Sequence, residues 1–146
     1  MARRTFFSFH YQRDVWRVNQ IRNGHQFIGT AAAGFQDASL WEEAKKKGDR
    51  VIKRMIDDAL EYTTVTVVCI GYKTAGRTYI NYEIERSLAR GNGIIGLMVN
   101  GLLGPDRKSD PDGTVPGLLT KHKAPIYRYR DVASLGDWIE KAYQNR

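Results

Sequence analysis

The chain is 146 residues long, 42% hydrophobic and 11% aromatic, with a formal net charge of +7. That length fits one domain, expected over 1–146, and is short for two. The composition excludes a disordered chain, no apolar run approaches the roughly 20 residues of a membrane helix, and the single cysteine, Cys69, excludes a disulfide framework or a zinc set.

In chain order, residues 1–11 place two arginines before an apolar patch that turns polar at His10. The patch is short of the roughly 7–15 apolar residues of a secretory leader, so it reads as a first strand over 4–9 and the cytoplasm is the expected compartment. Residues 10–13 read as a polar turn, and 14–22 as a helix with Val15, Val18 and Ile21 on one side, stopped by Asn23-Gly24. A weak strand follows over 26–29. Ser39 with Glu42 makes a capping box for a long helix reaching Leu60, along which Trp41, Ala44, Gly48, Ile52, Met55 and Ala59 form a stripe. The run Lys45 to Lys47 reads as its solvated face.

The β-branched run 64–70 predicts a buried strand that Gly71 breaks. After a polar loop, a helix follows whose apolar side is Ile80, Ile84 and Leu88. Residues 94–99 give another strand, and about 100–124 a long loop rich in Gly, Pro, Asp and Lys. A last strand over 126–129 leads to a helix capped by Ser134. Strands alternating with helices argue for a three-layer α/β fold with a central parallel sheet. Right-handed crossovers then give a flavodoxin-like order, 2-1-3-4-5.

Such sheets bind ligands at their carboxyl edge. Three pieces should converge there: Ser8-Phe9-His10-Tyr11 with Arg13 and Asp14, then Phe35 to Ser39 including Asp37, then Gly71 to Glu83. Together they offer aromatic faces, arginine and backbone N–H groups for phosphates, and a carboxylate for ribose hydroxyls, which is the composition of a nucleotide site. Each piece also has a plainer reading. Phe9, Phe35 and Cys69 can be core, and His10 a turn residue. Asp14, Asp37 and Ser39 can serve helix starts and turns, and Glu83 can be an exposed residue pairing with Arg86. Glu85 lies about 200° around the helix from Glu83, so the two cannot face one cleft. No GxxxxGK[ST], GxGxxG or GxSxG motif is present. The positive charge favours an anionic partner, although solubility alone accounts for it equally well. With no aromatic–basic ladder, nucleic acid ranks last among the partners.

Four stretches carry a resemblance: FFSFHYQRDVWR at 6–17, SLWEEAKKKGD at 39–49, TVTVVCIG at 64–71 and YINYEIERS at 79–87. Together they resemble the TIR-like domain family, in particular the ThsB-type domains of Thoeris anti-phage defence systems. The resemblance implies a flavodoxin-like fold and cleavage of the nicotinamide–ribose bond of NAD+, the substrate, with no further cofactor and no metal. It places the family's glutamate on Glu83 of Tyr79-Ile80-Asn81-Tyr82-Glu83. It also implies an ADP-ribose-derived signal, expected to be cyclic, that activates a separate effector protein, and a homo-oligomer in which a neighbouring subunit completes the site. On that reading Glu83 stabilises the oxocarbenium-like centre. Arg13 or backbone N–H groups near Ser8 hold the pyrophosphate, Phe9 or Tyr11 stacks a ring, and His10, Asp37 and Tyr79 complete the substrate-binding set. The alternative is a non-enzymatic TIR-like adaptor that acts through its surfaces.

Overall fold

A computed structural model describes residues 2–21, 27–30 and 45–146, with the backbone alone for 27–30. Its elements run β1 (Arg3–Ser8), α1 (Tyr11–Asn19), β2 (Phe27–Thr30), α2 (Asp49–Leu60), β3 (Val65–Ile70), α3 (Thr78–Ala89), β4 (Gly93–Met98), α4 (Gly117–His122), β5 (Ile126–Arg128) and α5 (Val132–Gln144). The strands pair in parallel in the order β2-β1-β3-β4-β5, a flavodoxin-like arrangement.

Every residue of β3 and β4 is buried, because a parallel sheet is covered on both faces and its strands need no polar side. Successive side chains still divide between the faces. Val65, Val67 and Cys69 join Ile95 and Leu97 in one core cluster, whereas Val68 and Ile70 join Ile94 and Met98 in another. The second cluster is closed by Ile80 and Ile84 of α3 and by Leu119 of α4. That packing fixes the rotation of α3, and so decides where Glu83 points.

Several boundaries differ from the sequence reading. Helix α1 starts at Tyr11, with His10 in the cap position, so the expected polar turn is the helix's first turn. Burial of Tyr11 and Asp14 draws that turn onto the sheet. The long helix expected from Ser39 to Leu60 is interrupted at Lys46 to Gly48, where Gly48 adopts φ +100 before α2 begins. The Ser39–Glu42 capping box lies outside the described residues. Helix α4 sits inside the expected 100–124 loop. Asp131, rather than Ser134, caps α5, its carboxylate accepting the Ser134 N–H at 2.7 Å. Among the described residues no helix is long and apolar enough to cross a membrane.

Candidate functional site

Strand β1 runs beside β3 with Ser8 opposite Val68, so both strands deliver their carboxyl ends to one edge. Helix α3 returns over that edge. With Ile80 and Ile84 turned into the core, Glu83 is aimed back at the end of β1. There the Ser8 hydroxyl donates a hydrogen bond of 2.6 Å to Glu83 Oε1. Ser8 is 0% and Glu83 1% exposed. The other carboxyl oxygen, Oε2, is buried without a hydrogen-bond partner. A carboxylate removed from water with one neutral donor is poorly stabilised. Burial pushes the Glu83 carboxyl up to about 8, against the opposing pull of the Ser8 hydrogen bond. The carboxyl of the free protein is therefore largely protonated at neutral pH.

Glu83 opens onto a cleft of about 60 Å³. Its walls are Phe9, Tyr11, Tyr79 and Ile80, and its rim carries His10, Lys45 and Arg77. The Phe9 and Tyr11 rings lie 4.3 Å apart, tilted at 44°. Burial, with the positive charges of Arg77, Arg13 and Lys45, pushes the His10 imidazole down to about 4. It is neutral at physiological pH and able both to donate and to accept. A buried acid with one unpartnered oxygen, apolar walls and a cationic rim suits a ligand with a cationic or polar head and an anionic body.

Residues 6–103 match the family described as Thoeris protein ThsB, TIR-like domain. The chain belongs to this family. A protein of Bacillus cereus (strain MSX-D12) named "Putative cyclic ADP-D-ribose synthase ThsB1" is 49% identical over 102 residues, a match covering 68% of this chain and 53% of that protein. The chain thus spans about half the length of this curated relative. The span matched to the ThsB TIR-like family includes Ser8, His10, Arg77 and Glu83 and ends at residue 103, short of Asp110.

The expected site residues fall in different places within this ThsB-type domain. Phe9, His10, Tyr11, Tyr79 and Glu83 meet at the cleft. Ser8 is behind it, touching Glu83 rather than the opening. Arg13 is turned away. Its guanidinium forms two hydrogen bonds of 3.1 Å to Asp110, beside a separate open basin of about 470 Å³ that it shares with His10 and Arg17. Phe9 is both core and cleft wall. The Tyr79 hydroxyl donates to Asp49 at 2.9 Å, which leaves the ring to the cleft. Asp37 and Phe35 lie outside the described residues. The surface pairing of Glu83 with Arg86 is overturned: Arg86 binds Asp57 at 3.1 Å, and Glu85 is the exposed acid. Asp14 is a fully buried partner of Arg17, at 3.1 Å, rather than a plain helix-start residue.

Lys45 and Arg77 are the rim residues that sequence reasoning missed. Lys45 was hidden in a lysine run that reads as a solvated face. Arg77 stands six residues before Glu83, at the end of a polar loop, and only the immediate start of α3 brings the two to one opening.

Proposed function

We propose that this domain cleaves the nicotinamide–ribose bond of NAD+, with Glu83 as the catalytic carboxylate. The product is an ADP-ribose-derived, cyclic signal that activates a separate effector protein in anti-phage defence. The observation that carries this reading is the buried carboxyl of Glu83, a residue that lines the cleft and whose Oε2 has no hydrogen-bond partner.

The nicotinamide of NAD+ is a pyridinium cation. Brought against Glu83, it supplies the missing opposite charge, lowers the carboxyl's proton affinity and lets the carboxylate form. As the C–N bond breaks, its electron pair leaves with nicotinamide, which becomes neutral, and positive charge passes to the ribose. The carboxylate faces that charge in a site largely cleared of water, where its stabilising effect is greatest. Ser8 holds one carboxylate oxygen so that the other meets the ribose. Phe9, Tyr11 and Ile80 keep bulk water from the cationic carbon, which favours attack by a nucleophile of the same substrate, and the proton of that nucleophile is then released. The name of the Bacillus cereus relative, a cyclic ADP-D-ribose synthase, supports the same class of product.

The cleft, at about 60 Å³, is smaller than the roughly 300–1,000 Å³ of a site enclosing a whole drug-sized ligand. It receives only the edge of the nicotinamide end that meets Glu83, and the remainder of the dinucleotide lies across the rim. A second copy of the chain over that rim would enclose it, in keeping with the homo-oligomer the family implies.

Chromatography of NAD+ incubated with the protein tests the product. Nicotinamide and a cyclic ADP-ribose species should form in equal amounts. Linear ADP-ribose alone would show that water reaches the ribose, and would overturn the cyclase part of the reading.

A further inference from the structure

We propose that Arg77, at the entrance to α3, holds the pyrophosphate of the substrate, in the place the sequence reading gave to Arg13. The proposal rests on the reading of the cleft as an NAD+ site. Three observations carry it.

The first is that Arg13 is occupied. Its Nε and Nη2 are committed to the Asp110 carboxylate, which offsets its charge, and Asp110 is itself tied to Arg17 at 3.1 Å. Arg13 also faces the open basin and not the Glu83 cleft.

The second is that Arg77 is ready. It lines the cleft with Glu83, its side chain is exposed, and among the described residues its guanidinium has no hydrogen bond or ion pair. Its backbone is fixed nonetheless, because its carbonyl accepts the Asn81 N–H at 3.0 Å in the first turn of α3. An arginine with a fixed base and a free fork suits two phosphate oxygens at once.

The third is the charge of the opening. Lys45 shares the rim, and both cations act on His10. Among the described residues no carboxylate other than Glu83 lines the cleft. Asp49, the nearby acid of α2, is engaged by Tyr79 and Lys53. An anion at the rim therefore meets positive charge, while the floor is reserved for the cationic head.

Calorimetric binding of inorganic pyrophosphate and of ADP-ribose, compared across wild type, Arg77→Ala, Arg77→Lys and Arg13→Ala, tests this. Arg77→Ala should weaken both ligands about ten- to hundred-fold, the range for a lost charge-assisted bond. Arg77→Lys should recover part of the loss, and Arg13→Ala should stay close to wild type. In turnover, the Arg77→Ala defect should fall on KM for NAD+ with kcat little changed. An unmoved affinity in Arg77→Ala, a loss carried by Arg13→Ala instead, or no binding of either ligand to wild type would each overturn the proposal. Pyrophosphate binding that depends on Arg77 in a protein that never turns over NAD+ would keep the anion site and reject the reaction.

Discussion

At the scale of single residues, the energetics turn on where the Glu83 proton sits. The buried carboxyl holds its proton up to about pH 8, whereas a free glutamate loses it near 4.5. Its folded pKa is raised, so the stability linked to this proton is fully present below pH 4.5 and is lost as pH rises through 8. Across that window the loss is on the order of 5 kcal/mol. Glu83→Gln keeps the shape and removes the ionisation. The variant should therefore melt at a higher temperature than wild type at about pH 9, with the gap closing toward pH 5. Thermal melts at the two pH values check this, and an unchanged gap would place the carboxyl in solvent. The same proton should shape activity, with kcat/KM for NAD+ rising with pH toward a midpoint near 8. The Ser8 hydrogen bond lowers that midpoint, so Ser8→Ala should shift it upward and cut kcat by roughly ten-fold, leaving KM near wild type. Ser8→Thr retains a hydroxyl and should recover part of the rate. A Ser8→Ala defect confined to KM would mean that the serine binds substrate directly.

Glu83 could be singled out in the sequence because its spacing from Ile80 and Ile84 is visible there. Its single partner could not be, since Ser8 is 75 positions away and the contact depends on strand order. Arg13 is the opposite case. Its position next to the strand end is legible and suggests a phosphate ligand, but the carboxylate it pairs with, Asp110, is 97 residues on and is not legible.

At the scale of elements, the long segment after β4 is pinned to α1 by charge. Arg17 donates to Asp14 and contacts Asp110, and it reaches the carbonyls of Leu102 at 2.8 Å and Lys108 at 3.1 Å. It is 3% exposed and Asp14 is 0% exposed. Removing one member of such a buried pair leaves the other uncompensated, so Arg17→Ala should destabilise the fold by about 3–5 kcal/mol in urea denaturation. Arg17→Lys should recover little, because a single ammonium cannot reproduce the planar fork. A loss under about 1 kcal/mol, the scale of a surface pair, would show that the network does not hold the segment. Gly71 is the other fixed point of this junction. A Cβ there would overlap the Asp14 carboxylate, and a Cβ at Gly113 would overlap the Gly71 carbonyl.

The strands and their alternation with helices were legible because buried β-branched runs leave a plain trace. The segment's order was not. Glycine, proline and aspartate read as loop, and neither short α4 nor the Arg17 anchor shows a period. The break before α2 was hidden for a related reason: Gly48 fits the apolar stripe by spacing, and spacing carries no sign of its φ of +100.

At the scale of the molecule, the parallel sheet places a protonated acid, apolar walls and two cations at one edge, and the net charge of +7 reinforces the pull on an anionic dinucleotide. The most direct test of the central claim follows nicotinamide release from NAD+ in wild type, Glu83→Gln and the exposed-acid control Glu85→Gln, with each protein pure and in extracts of phage-infected cells. The account predicts release by wild type and Glu85→Gln, and none by Glu83→Gln. Equal release by all three, or none by wild type in either setting, would contradict it and return the domain to the adaptor reading.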